Sequence, residues 1–222
     1  MNIRQYLSSS LGKKQLVSLT GLGLIVGFLT PHLIGNLLLL KGPAVFNGYS
    51  HHLHSLGIIL KVIECLFAAL FIIHIVLSVL VVIENRIARG TPYRHPLDAG
   101  KRSLSARTMP FTGGFIFLFL VFHLFDFTFV KHAPPVSLLN GQEMGLYGVV
   151  INAFNSPIRL FGYGFIMIIV GVHLSHAIQS VFQTFGLRNE RMTRWVNGIS
   201  YTVGTLLSVG FISILGYVCL RY

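Results

Sequence analysis

Charge is scarce in this sequence: 10% of its 222 residues are Asp, Glu, Lys or Arg, against 53% that are hydrophobic, and the mean hydropathy is +0.72. A soluble globular chain carries about 25% charged residues, so this balance excludes an ordinary water-facing surface and points to one covered by lipid. Cysteine is nearly absent as well. Cys65 and Cys219 stand in or near apolar runs, with no CxxC or CxxCH pattern, which excludes a disulfide framework and covalent cofactor attachment through paired cysteines. There is no internal repeat and no low-complexity tract. The polar connections are too short to fold as a domain, so a catalytic head, if there is one, must belong to another chain. The first apolar run lacks the compact core and small-residue cleavage pattern of a signal peptide, and the expectation is that it is retained.

Long apolar runs are what the sequence does have. Five of them, 15–40, 56–83, 109–130, 157–185 and 196–220, are each long enough to cross a hydrocarbon core of about 30 Å at about 1.5 Å per residue. They predict an all-α, polytopic membrane protein with one domain over 1–222. Pro31 lies inside the first run and is expected to bend it one turn before its outer end, because proline donates no backbone hydrogen bond.

The basic residues orient the spans. Arg4, Lys13, Lys14, Arg86, Arg89, Arg94, Lys101, Arg102, Arg107, Arg188, Arg191 and Arg194 lie in the amino-terminal segment and the 84–108 and 186–195 loops. Only Lys41, Lys61, Lys131, Arg159 and Arg221 lie on or near the other side. The positive-inside rule then puts the amino terminus in the cytoplasm and the carboxyl terminus outside. A net charge of +11 also has a nucleic-acid reading, but charges that flank membrane spans report topology and contact with anionic lipid.

Histidine is the informative residue. His32, His74, His123 and His173 each lie well inside one of the first four runs, and the fifth run has none. An ionisable group in hydrocarbon is costly and faces the bundle interior, where something pairs with it. One such histidine is readily explained as polar glue between helices; four in four spans need a shared cause. Because successive helices alternate in direction, His32 and His123 fall toward the outer side and His74 and His173 toward the inner side. Two pairs at two depths fit two bis-histidine haems stacked across the membrane, within a bundle of the first four helices. The second nitrogen of each ring then needs an acceptor to fix its orientation.

A haem also needs room. Gly21 precedes His32 by 11 residues and Gly113 precedes His123 by 10, in the matching dipeptides Thr20-Gly21 and Thr112-Gly113. That is about three helical turns, or about 15–16 Å, so each glycine lies on its histidine's face at the depth of the inner porphyrin. Ordinary close packing of helices is the other reading of these glycines. In the fourth run, "GVHLSHAIQSVFQ" sets His173, His176, Ser180 and Gln183 on one stripe. His173 is the ligand by depth. His176, one turn nearer the cytoplasm, is a candidate for a propionate, a quinone, a proton path or a swapped ligand, while structural packing accounts for Ser180 and Gln183.

Taken in order, "SLTGLGLIVGFLTPHLIGN", "FNGYSHHLHS", "FIIHIV", "RTMPFTGGFIFLFLVFHLFDF", "FNSPIRLFGYG" and "GVHLSHAIQSVFQTFGL" resemble the b558-type cytochrome b subunit of succinate dehydrogenases and fumarate reductases. The resemblance runs from "SSSLGKK" to the end of the fifth run. It implies a single-chain anchor in a bacterial cytoplasmic membrane, with two non-covalent haems b: His32 and His123 on the distal one, His74 and His173 on the proximal one. It implies two partner subunits, a flavoprotein carrying FAD that oxidises succinate and an iron-sulphur protein that passes the electrons on. This chain would then hand them through its haems to a quinone, menaquinone in most such proteins, and its basic loops would dock the head.

For the quinone, an apolar slot open to lipid needs a donor for a carbonyl oxygen and a route for protons. The candidates near the outer haem are His51, His52, His54, Glu64 and Asp126, and propionate neutralisation or an interfacial position accounts for the histidines equally well. A glutamate found two residues before the proximal ligand in some fumarate reductases is replaced here by Gly171, so its proton route does not carry over. Succinate oxidation is the expected direction, with quinol oxidation by a fumarate reductase as the alternative. A haem b gamma subunit of another membrane dehydrogenase, a transporter with buried histidines and an anchor that has lost its haem are the competing classes.

Overall fold

The computed structural model describes residues 2–88 and 104–222. Arg89, Arg94, Lys101 and Arg102 of the expected basic loop lie outside them. The chain begins with a short helix, α1 (Ile3–Ser8), whose first turn is closed by reciprocal bonds between Asn2 and Gln5. Ser9 caps the next helix, α2 (Ser10–Gly23), by accepting from the Gly12 N–H. α2 runs through a π-helical turn, Leu24–Leu29, into α3 (Thr30–Leu37) and a final tight turn, Leu38–Lys41. These pieces form one span, Ser10–Lys41. Pro31 explains the wide turn. Its ring would crowd the carbonyl four residues earlier and it has no N–H to donate, so the preceding turn opens and both the Thr30 N–H and the Thr30 hydroxyl go to the Ile25 carbonyl. The irregularity expected at Pro31 is thus absorbed in the turn before it.

Gly42 and Gly57, at φ +94° and +56°, hold left-handed backbone that a side chain would strain. They bracket α4 (Pro43–Ser55) and release the chain into α5 (Ile58–Ile87). α6 (Leu104–His123) ends in a second π-helical turn, Leu124–Thr128. A two-stranded antiparallel hairpin follows, β1 (Leu138–Leu139) with β2 (Gln142–Glu143), turning on Asn140-Gly141 with both residues at positive φ, as a two-residue hairpin turn requires. Then come α7 (Gly145–Phe154), α8 (Pro157–Thr184) and α9 (Glu190–Arg221).

Among the described residues five helices are long and apolar enough to cross a membrane: Ser10–Lys41, Ile58–Ile87, Arg107–Thr128, Pro157–Thr184 and Glu190–Arg221. The sequence runs match them in number and order but fall short at some ends. α9 starts six residues before 196 because Asn189 caps it, accepting from the Met192 N–H, and hydropathy does not register a polar first turn. α5 buries none of its side chains within the protein although its mean hydropathy reaches 3.1. Water would penalise such a helix; lipid does not.

The packing is lopsided. α5 lies along α2, α2 along α8, and α6 along α8, while α5 and α6 barely meet. α8 and α9 form the tightest seam, where a Cβ on Gly171 would sit 2.8 Å from the Ser208 Cβ and one on Gly204 would strike Ser175 and the Gly171 carbonyl. Small residues of this kind let helix backbones approach closely in a membrane. α4 and α7 cap the end of the bundle away from α1. Asn47 clamps them together, donating to the Met144 carbonyl at 2.8 Å and accepting from the Tyr147 N–H at 3.0 Å. The Tyr147 hydroxyl meets those of Tyr217 and Tyr222, 3.1 Å from each, which ties the carboxyl terminus to the cap. At the other end, Lys13 pairs with Glu84, joining the start of α2 to the end of α5.

Candidate functional site

His74 sits on α5 and His173 on α8, both half-buried and both in regular helix. The hydroxyl of Thr20 on α2 lies 3.0 Å from His74 Nδ1, and that of Thr112 on α6 lies 2.9 Å from His173 Nδ1. The adjoining glycines face the same two rings. A Cβ on Gly21 would be 3.0 Å from His74 Cε1, and one on Gly113 would be 3.5 Å from His173 Cε1. The room that these glycines make is therefore occupied by the imidazoles. Thr20-Gly21 and Thr112-Gly113 thus make matching seats for the two inner rings.

The outer pair is built differently. His32 lies just after the first π-helical turn and His123 just before the second. Their ring centres are 5.9 Å apart with the planes at 85°. Phe28 stacks on His32 at 5.2 Å, while Phe119, Phe127 and Tyr163 surround His123 at 5.3–6.0 Å. Among the described residues neither outer ring has a hydrogen-bond partner, and the His123 Nδ1 is a buried atom without one. Beside it, Asp126 accepts from the Tyr163 hydroxyl at 2.8 Å and from Arg159 Nε at 3.2 Å.

Tyr163 and Arg159 did not emerge as site residues from the sequence, although a signal for Tyr163 was there. It precedes His173 by 10 residues, about 2.8 turns, which sets it about 15 Å along α8 and within about 80° of the histidine around the helix. The remaining outer candidates go elsewhere. His51, His52 and His54 are exposed on α4, where His54 Nδ1 bonds to the Ser50 carbonyl. Glu64 is exposed on α5 and paired with Lys61 at 2.7 Å. Of the five, only Asp126 is brought against the outer histidines. On the inner stripe, Ser180 and Gln183 are exposed, whereas His176 Nδ1 and Gln179 Nε2 are buried atoms with no hydrogen-bond partner.

The donor set can be tested against a haem. Among the described residues no three His, Cys, Asp or Glu side chains converge, so a closed metal site made of protein ligands alone is not what these histidines build. Two imidazoles per iron suit a porphyrin, which supplies the other four ligands. Nitrogens about 2 Å from one metal put the ring centres of two facing imidazoles about 6 Å apart, which agrees with the 5.9 Å between His32 and His123. The inner rings have their Nδ1 engaged by threonine, which leaves Nε2 to serve as a ligand. The outer ring spacing and the engaged Nδ1 of each inner ring are compatible with that group. Comparison with protein-family models, with curated proteins and with solved structures finds no match to this chain.

Proposed function

We propose that this chain is a di-haem membrane anchor and electron-transfer subunit of a succinate:quinone oxidoreductase. The observation that carries the reading is the arrangement of four membrane histidines in two levels, the inner pair held by threonine hydroxyls on neighbouring helices and the outer pair spaced for one metal. His74 and His173 would hold the inner haem b, His32 and His123 the outer one. Bound there, the two groups would supply a one-electron relay from an iron-sulphur partner to menaquinone or another quinone. The sequence resemblance to b558-type anchors supports the same assignment and brings in the flavoprotein with its FAD, where the succinate chemistry would lie. The protein's own part is to orient the imidazoles, exclude water from both levels and anchor the head at the side bearing Lys13, Arg86 and Arg107, which the positive-inside rule makes cytoplasmic.

For the quinone, Asp126 with Tyr163 and Arg159 offers a polar group at the outer level. A second location, on the inner side, is favoured by one specific observation: His176 Nδ1 and Gln179 Nε2 are buried, unpartnered and one turn apart, and an unsatisfied buried donor is costly until something accepts from it. Purification of the native complex from membranes tests the whole reading. Flavoprotein and iron-sulphur subunits should co-purify, succinate should reduce quinone, and a bound quinone analogue should contact one of the two clusters. A chain that purifies without such partners and without haem would contradict it.

A further inference from the structure

The two Thr-Gly dipeptides do more than clear space. Thr20 Oγ1 lies 2.8 Å from the Leu16 carbonyl and 3.1 Å from that of Val17, and Thr112 Oγ1 lies 3.1 Å from the Met109 carbonyl. A hydroxyl has one proton, and in a helix it goes back to the preceding turn. Toward the histidine, each hydroxyl is then the acceptor, so His74 and His173 carry their proton on Nδ1 and present a bare Nε2 lone pair. The same dipeptide recurs on α2 and α6, at nearly the same spacing before the outer histidine of its own span, and in each case serves the inner histidine of a neighbouring helix. Gly21 and Gly113 seat the two imidazoles; Thr20 and Thr112 fix how they are turned. Among the described residues neither outer ring has such a partner.

An acceptor on Nδ1–H makes an imidazole a stronger donor to its metal, which favours ferric over ferrous iron. We propose that Thr20 and Thr112 are positioning residues that lock the inner ligands in the Nδ1–H form and lower the reduction potential of the inner haem independently of the outer one. This rests on the di-haem reading above. It adds a device that makes the two levels electrochemically separate, written into one helix pair and acting on the other.

The test uses the full chain with its partners in native membranes, carrying Thr20→Val, Thr112→Val, the double change, and Thr20→Ser and Thr112→Ser as hydroxyl-retaining controls. Haem is counted by pyridine haemochrome, and each one-electron ferric–ferrous couple is titrated optically with dithionite and mediators. The inner component is identified as the one missing in His74→Ala. Each valine should raise the inner component's reduction equilibrium constant about threefold to tenfold, tenfold being about 59 mV for one electron. The double change should shift it further, serine should restore it, and the outer component should stay in place. If a valine variant instead loses the inner haem, the serine variant should keep it at the parental potential. Two haems with both midpoints unmoved, equal shifts in both components, or serine variants that behave like valine would overturn the proposal. Absence of haem from the unaltered protein would be a different failure, that of the di-haem reading itself.

Discussion

His74 and His173 are each held by a hydroxyl and a glycine from a neighbouring helix, on uninterrupted α-helix, whereas His32 and His123 stand among aromatic rings beside two π-helical turns. The inner level is fixed by directional bonds and the outer level by shape. Directional bonds set a tautomer and a ring angle. Aromatic packing sets a position but leaves the second nitrogen free, as at His123, and π-helical turns are frequent where a helix must re-aim a functional side chain. Polar contact at the outer level is displaced by one step, onto Asp126 with Tyr163 and Arg159.

The changes that separate the two levels most strongly are in the histidines themselves. On the proposed di-haem reading, His74→Ala should remove the inner haem and His123→Ala the outer one, each lowering the haemochrome count by about one per chain, with the remaining component keeping its spectrum. Next come the glycines, which are not equivalent. A methyl at Gly21 would meet His74 Cε1 at 3.0 Å and force the ring to move, while at Gly113 the 3.5 Å gap is ordinary contact. Gly21→Ala should weaken inner-haem retention about tenfold or more and Gly113→Ala by much less, as judged by haem loss on dilution in detergent.

At the outer level, Asp126→Asn takes the charge from an acceptor that serves both Tyr163 and Arg159. A hydrogen bond to a charged group contributes about 1.5–3 kcal/mol, so thermal unfolding should report a loss of that order while the inner haem's midpoint stays fixed. The smallest effect is expected from Glu64→Gln. Its partner Lys61 is exposed and the pair is solvent-screened, which limits the stability change to about 0.5 kcal/mol. A large fall in quinone-coupled turnover from this change alone would move the quinone site to α5.

The spans were legible because lipid exposure leaves hydropathy almost undiluted: α5 could be read from its apolar residues alone. The meeting of His32 with His123 followed from helix direction, and the Thr-Gly spacing was visible as a pattern. Which helix each threonine would serve was not visible, since the spacing of residues along α2 says nothing about what α5 turns toward it. α4 and α7 escaped notice for a different reason. α7 is apolar but has 10 residues, too short to span, and it is buried by the cap; α4 mixes polar and apolar residues with no clean stripe. The Asn140-Gly141 turn carried a readable hairpin signal, but strands of two residues each offer no alternation to support it. The outer candidates dispersed because sequence proximity to the outer level does not fix direction: His51, His52, His54 and Glu64 face outward, and Asp126 faces the bundle.

The central claim is that four histidines in four spans hold two haems at two levels, and haem stoichiometry tests it most directly. Pyridine haemochrome analysis of the complex purified from native membranes, normalised to this chain by quantitative amino-acid analysis, should give about two haems b per chain, falling to about one in either His74→Ala or His123→Ala. A ratio near zero in the unaltered protein, or a ratio that neither substitution changes, would contradict it.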